Sequence, residues 1–423
     1  MIALLFVLLA CCIFFSIPIA FSMALTSLIG LVSLEIPLKT AITQAFQGVD
    51  SFTLMAVPFF ILAGNIMGKG GIIGQIINFS NALVGNVRGG LAHVNIVSSM
   101  IFSGVSGSGV ADSSAIGSML IPSMVKQGYD KDFSVVVTCT SSTIGPIIPP
   151  SIPFVLYGIY TRQSIGRLFL GGVIPGLMIG LGLMLMVHLV CLKRQYDFRQ
   201  GRASIQKIIA AFFNSIGALI MPFIIIFGII SGVFTATEAG AVAVVYGLLF
   251  GLFVTRDLTL KDLPKILIDS AVMTATVMLI VSMATILSNI LARLSFQDMM
   301  INSILSITDS PILSALLVMV LLLFLGLFID ATVVLIMFAP ILSRLGQQLG
   351  FDPIHFGVLM VIVMLIGSIT PPVGSMLFVA CSIANISIEE TFKILLPFFF
   401  VLVGVALITL FFPPVATFIP NLF

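Results

Sequence analysis

Apolar runs long enough to cross a bilayer recur from one end of this chain to the other. Those at 168–192, 215–234, 236–254, 270–292 and 393–412 each reach the roughly 20 residues that span hydrocarbon as a helix. Of the 423 residues, 59% are hydrophobic and 8% charged, against about 25% charged in a soluble domain. A water-facing surface cannot be built from so few charges. Backbone groups in hydrocarbon must be satisfied internally, which leaves helices for runs of this length. The chain is expected to be an all-α polytopic membrane protein. The first 33 residues carry no basic n-region and are apolar beyond the length of a signal sequence, so they read as transmembrane structure kinked or broken at Pro18.

Several function classes fall away. Cys11, Cys12, Cys139, Cys191 and Cys381 sit in apolar runs, and His93, His188 and His355 are scattered. The cysteines read as small buried hydrophobes. No transition-metal ligand set, cofactor motif, nucleophilic triad, nucleotide loop or nucleic-acid-binding pattern is present. An intramembrane enzyme would need a nucleophile–base pair or metal ligands on facing helices. Transport without a nucleotide site has to draw on an ion gradient.

The stretch KRQYDFRQGRASIQK at 193–207 is the longest hydrophilic segment. Basic residues collect on the cytoplasmic side, and placing this linker inside brings Lys69, Arg88, Lys126, Lys131, Arg256, Lys261, Lys265 and Lys393 inside with it. Thirteen of the 18 Lys and Arg then lie inside, Lys39, Arg162, Arg167 and Arg344 outside, and Arg293 on neither side. The linker also separates two copies of one pattern. Asp112 and Pro122 match Asp330 and Pro340 at an offset of 218, whereas Gly145, Pro149, Pro150 and Pro175 match Gly367, Pro371, Pro372 and Pro397 at 222. A four-residue insertion would reconcile the two offsets. The two copies enter the membrane from opposite sides, so the expected fold is two inverted-topology repeats.

Each copy carries two interruptions. GVSGSGVADSSAIGS at 104–118 is polar and glycine-rich between apolar half-spans, so 91–126 reads as a re-entrant helical hairpin with an irregular tip. Its counterpart is 311–346, with the tip near LGLFIDAT. The double prolines remove donors and free carbonyls, breaking helices at 133–160 and 354–386. The partition is 1–90 scaffold, 91–192 first transport repeat, 193–207 basic linker, 208–310 scaffold of the second repeat, and 311–423 second transport repeat with the C-terminal helix. Four breaks converging in a membrane offer carbonyls and hydroxyls to a small hard cation such as Na⁺ and helix N-termini to an anion. The alternative is that the glycines only permit tight packing and the prolines only kink.

The candidate sodium ligands are Ser103, Ser106, Ser108, Asp112, Gly145, Ile148 and Pro150 in the first copy, and Gly326, Asp330, Thr332, Gly367 and Thr370 in the second. Intramembrane carboxylates such as Asp112 and Asp330 are costly and functional by default. For the substrate, the candidates are Arg293, Ser164, Asp112 and Pro150. Arg293 is either a bidentate carboxylate ligand or a residue snorkelling at a helix end. Glu238, in FTATEAGAV, reads as half of a capping box.

Five segments carry a resemblance: VPFFILAGNIM (57–67), SGVSGSGVADSSAIGSMLIPSMVKQGYD (103–130), IGPIIPPSIPFVLYG (144–158), GVFTATEAGAVAV (232–244) and TPPVGSMLFVA (370–380). They resemble the large membrane subunit of the tripartite ATP-independent periplasmic (TRAP) transporters, and the match runs over nearly the whole chain. The resemblance implies an elevator-type fold like that of the ion-transporter superfamily. It also implies Na⁺-coupled uptake of an organic acid across the bacterial inner membrane, with no bound cofactor beyond the coupling ion. The implied partners are a small four-helix membrane subunit and a periplasmic substrate-binding protein. Substrates of the family include C4-dicarboxylates, keto acids and sugar acids, with sialic acid slightly favoured here. The rival reading is a stand-alone carboxylate or ion transporter without a receptor protein.

Overall fold

A computed structural model describes residues 1–196, 198, 205–372 and 374–423. Part of the basic linker, including Arg199 and Arg202, therefore lies outside the described residues. Every regular element among the described residues is helical. Among the described residues six helices are long and apolar enough to cross a bilayer, and a bent pair makes a seventh.

The N-terminal run is two helices rather than one kinked span: α1 (Ile2–Phe14) and α2 (Ile19–Ser33). Ser16 takes φ 60° in the connection, and Pro18, which has no N–H to donate, caps the second helix from outside. The helices α3 (Lys39–Val49) and α4 (Ala56–Lys69) form the bent pair, 63° apart. Then come α5 (Ile72–Val84), α6 (Gly90–Ser106), α7 (Gly109–Gln127), α8 (Lys131–Ser141), α9 (Ile152–Thr161) and α10 (Ile165–Lys193). The second half holds α11 (Ile205–Ile230), α12 (Ala236–Leu249), α13 (Leu263–Arg293), α14 (Phe296–Ile307), α15 (Pro311–Gly326), α16 (Ala331–Gln348), α17 (Pro353–Gly367), α18 (Ser375–Ala384), α19 (Ile388–Phe411) and the short α20 (Pro414–Thr417).

Helix boundaries place the two halves on a single register. The N-caps Ser108 and Asp330, the left-handed glycines Gly128 and Gly350, the N-caps Asp130 and Asp352, and the cis double prolines 149–150 and 371–372 are all 222 positions apart. No four-residue insertion separates the copies, and the 218 offset is a coincidence of local composition. On the 222 register Asp330 corresponds to Ser108, and Asp112 corresponds to Val334.

The copies interlock. α7 packs on α18 and α9 packs on α16, so the second arm of each hairpin lies against the distal half of the other copy's broken helix. In the remaining helices α4 packs on α12 and α2 on α13, again across the copies. Glu238 completes a capping box at the start of α12: Thr235 N donates to Glu238 Oε2 at 2.8 Å and Glu238 N to Thr235 Oγ1 at 3.3 Å. Four of the cysteines are buried as expected, but Cys11 is exposed on α1.

Candidate functional site

The first polar stretch is far more helical than its glycine content suggests. Only Gly107 and Ser108 leave the helix, because Gly107 ends α6 in the left-handed region at φ 60° and Ser108 begins α7 as an extended N-cap accepting from Ala111 N. Gly104 and Gly109 stay helical. This two-residue tip rests on the double-proline break. Ile152 N donates to Gly107 O at 3.2 Å, and a Cβ on Gly107 would lie 2.8 Å from the Pro150 carbonyl oxygen. Across the copies, a Cβ on Gly109 would meet Met376 of α18.

Asp112 lies in the first turn of α7 and is wholly buried. Its Oδ2 accepts from Ser99 Oγ at 2.8 Å, and the Ser99 and Ser141 hydroxyls are 3.2 Å apart. Ser141 Oγ reaches Asn95 Oδ1 at 3.2 Å, and Asn95 Nδ2 donates to Thr138 Oγ1 at 2.7 Å. The other carboxylate oxygen, Oδ1, is buried without a hydrogen bond, and the Ser142 side chain is the other group that interacts with the carboxyl. A buried carboxylate needs a compensating partner, so an oxygen left in this way is a natural cation ligand.

The remaining first-copy candidates lie on α6, at the tip and along the double-proline break. Ser103 Oγ donates to Met100 O at 2.6 Å, which occupies its proton and leaves its oxygen lone pairs for a cation. Ser106 and Ser108 line a cavity described below. A Cβ on Gly145 would lie 3.5 Å from Ser108 O and 3.6 Å from Asp112 Cβ, so this backbone runs beside the tip. Ile148 offers only its carbonyl, since its side chain packs against Gly176.

In the second copy the tip spans Leu327–Asp330. Asp330 is half-buried and caps α16, accepting from Thr332 N at 2.9 Å and from Ser375 Oγ at 3.1 Å. Both its oxygens are therefore engaged, unlike those of Asp112. Thr370 Oγ1 donates to Ile366 O at 2.7 Å. Gly326 and Gly367 come into direct backbone contact.

Two sequence candidates lie away from these tips. Arg293 is the exposed last residue of α13, and Ser164 is an exposed N-cap of α10, accepting from Arg167 N at 3.4 Å. Neither lines either of two cavities, one beside the end of α9 and one beside the first tip. One, about 550 Å³, is lined by Ser51, Thr53, Arg162, Gln163 and Thr237 among others. The other, about 630 Å³, runs from Ser106 and Ser108 at the first tip along Ser114 and Ser118 of α7 to Asn65 and Lys69 of α4. Asn65 Nδ2 donates to Ser270 Oγ at 2.8 Å, tying α4 to α13 at the wall of this cavity.

The polar residues that sequence reading passed over are Asn65, Lys69, Asn95, Ser99, Thr138 and Ser141. Their one available signal was helical spacing: Asn95 with Ser99 and Thr138 with Ser141 each share a helix face inside apolar runs.

Comparison with known proteins follows this geometry. The family described as "Tripartite ATP-independent periplasmic transporter, DctM component" matches residues 6–415. The sialic acid TRAP transporter large permease SiaM of Vibrio cholerae is 39% identical over 97% of this chain and 96% of its own length. The 2,3-diketo-L-gulonate TRAP transporter large permease YiaN of Escherichia coli is 38% identical over 87% of this chain and 86% of its own. The isethionate TRAP transporter permease DctMQ of Oleidesulfovibrio alaskensis is 38% identical over 95% of this chain, which spans only 64% of that longer protein. Among solved structures, the YdaH transporter of Alcanivorax borkumensis superposes with a TM-score of 0.59 at 15% identity, over 89% of this chain and 88% of that one, a likeness of fold alone. The chain is a multi-pass protein of the bacterial inner membrane, a transporter permease and not an enzyme. It belongs to the TRAP transporter family, as the large-permease, or DctM, component.

Proposed function

We propose that this chain carries the transport path of a sodium-coupled organic-acid importer working by an elevator movement. The observation that carries the reading is the first tip, where a two-residue helix break docks on a second break beside a buried carboxylate with a free oxygen. Irregular backbone inside a membrane protein persists where it lines a site. Na⁺ is the coupling ion, held at the two tips by the oxygens of Ser103, Ser106, Ser108, Asp112, Gly145, Ile148 and Pro150, and of Gly326, Asp330, Thr332, Gly367 and Thr370. The interlocked helices α6–α10 and α15–α19 form the moving body, in two inverted copies, and the other helices form the scaffold.

The substrate passes through the cavity between the first tip and α4. Ser106, Ser108, Ser114 and Ser118 give it a hydroxyl wall, and Lys69 gives it a cation. Such a lining suits an anionic, polyhydroxylated molecule. Sialic acid or another sugar acid fits best, with C4-dicarboxylates as the second class. Lys69, which lines this cavity, rather than Arg293, which does not, then meets the substrate's anionic group. Positive-inside bias puts Lys69 on the cytoplasmic face, so this is the release side.

A periplasmic binding protein delivers the substrate, and a small four-helix membrane subunit completes the scaffold. The test is reconstitution. Proteoliposomes holding this chain alone should take up little sialic acid or succinate, and adding the small subunit, the binding protein and an inward Na⁺ gradient should restore uptake. Full uptake by the chain alone would favour a stand-alone transporter, and uptake indifferent to Na⁺ would end the coupling proposal.

A further inference from the structure

The polar chain behind Asp112 has no counterpart in the other copy. On the 222 register that the N-caps and left-handed glycines define, Asn95 corresponds to Leu317, Ser99 to Leu321, Asp112 to Val334, Thr138 to Met360 and Ser141 to Val363. Five polar residues in one copy, all of them fully buried, are aliphatic or Met in the other. Two copies of one architecture share packing needs, so packing does not call for these polar groups. Burying polar groups is costly and is tolerated only when they are hydrogen-bonded.

The arrangement of the bonds indicates their use. Ser99 donates to Asp112 Oδ2 at 2.8 Å, so its 3.2 Å contact with Ser141 uses the single Ser141 proton, for which Asn95 Oδ1 at 3.2 Å and Thr138 O at 3.0 Å also compete, and Asn95 in turn donates to Thr138 Oγ1 at 2.7 Å. Asn95 and Ser99 belong to α6, Asp112 to α7, and Thr138 and Ser141 to α8. One oxygen of the carboxylate is thus held directly by Ser99 of α6, with Ser141 of α8 behind it, while Oδ1 carries no hydrogen bond and the Ser142 hydroxyl beside the carboxyl donates to Thr138 O at 2.8 Å. The second copy solves the same problem differently, because Asp330 spends both oxygens on Thr332 N and Ser375 Oγ.

We propose that Asn95, Ser99 and Ser141 are positioning residues that aim Asp112 Oδ1 at a cation in the first tip, and that the two tips consequently bind Na⁺ inequivalently. This rests on the reading that the tips bind Na⁺. The first tip presents a free, oriented carboxylate oxygen. The second presents backbone and hydroxyl oxygens, with its carboxylate already occupied as a helix cap. Loosening the relay weakens Na⁺ at the first tip and leaves the second intact.

The experiment uses the complete transporter in proteoliposomes and measures initial uptake against external Na⁺ and against substrate. Ser99→Ala removes the bond to the carboxylate and should raise the half-saturating Na⁺ about ten-fold, the change that ~1.4 kcal/mol produces. Ser141→Ala should raise it about three-fold, and Ser141→Thr, which keeps the hydroxyl, should return it towards wild type. The half-saturating substrate concentration at saturating Na⁺ should not move. Ser98→Ala is the packing control, since the Ser98 hydroxyl is buried beside Ser99 without a partner, and it should follow the wild-type curve. A second readout is the rise in melting temperature of the detergent-purified complex when NaCl replaces choline chloride, which Ser99→Ala should diminish.

Wild-type Na⁺ curves for Ser99→Ala and Ser141→Ala, alongside a shifted curve for Asp112→Asn, would overturn the relay and leave the tip assignment standing. A wild-type curve for Asp112→Asn as well would overturn the tip assignment itself. Equal shifts in Ser98→Ala would reduce the relay to packing and also overturn it.

Discussion

Gly326 and Gly367 meet backbone to backbone: a Cβ built on either would lie 2.7 Å from the other's Cα. One ends α15 and the other ends α17, so the first arm of the second hairpin is pinned to the proximal half of the broken helix. No side chain could be accommodated there without moving backbone. Gly326→Ala or Gly367→Ala should each cost about 1–3 kcal/mol of stability and abolish or strongly slow uptake. Gly74→Ala and Gly404→Ala, where a Cβ meets nothing within 4 Å, should leave both unchanged. Thermal melts in detergent and initial uptake rates would check all four.

Asp112 and Asp330 should not behave alike. The wholly buried Asp112, with one free oxygen, should respond to Asn substitution by shifting Na⁺ dependence strongly upward or losing uptake. In Asp330→Asn the side chain can still accept as an N-cap, a position where Asn serves as well as Asp, so the effect should be several-fold smaller. Equal Na⁺ curves for the two variants would contradict this ranking.

Lys69 and Arg293 are both exposed at helix ends, but only Lys69 lines the cavity beside the first tip. Lys69→Ala should weaken apparent substrate affinity roughly ten- to hundred-fold, the loss of a charge-assisted bond worth about 1.5–3 kcal/mol. Arg293→Ala should alter it less than two-fold. The reverse ranking in uptake kinetics would return the anion site to Arg293.

Arg194 ties the end of α10 to the start of α8. Its Nη1 lies 2.7 Å from Asp130 Oδ2 and its Nη2 2.8 Å from Asp132 Oδ2, while Tyr196 Oη also bonds Asp130. The group is partly exposed, so screening limits its worth. Arg194→Ala should lower stability by about 1–2 kcal/mol, and Arg194→Lys should recover only part, because an ammonium cannot address two carboxylates in one plane. The melting temperature of the purified protein measures both.

Composition and run length alone determined that this chain is a helical membrane protein, because so few charges exclude a solvated surface and long apolar runs admit only helices. The double prolines marked two breaks directly, since a residue without an N–H interrupts a helix wherever it lies. Caps such as Thr235 with Glu238 were equally local and equally legible. The repeat register was not. Chance matches of Asp and Pro at 218 competed with the true 222, and only helix boundaries, which depend on φ at Gly128 and Gly350 and on extended backbone at Ser108, decided between them. The length of the first tip was likewise set by tertiary contact, because packing holds Gly104 and Gly109 in helices that their own propensity disfavours. The difference between the two aspartates belongs wholly to the fold. Ser99 bonds Asp112, and Ser141 and Asn95 stand behind it, although the sequence separates those two by 46 positions; no local pattern records which oxygen of a carboxylate will be left free.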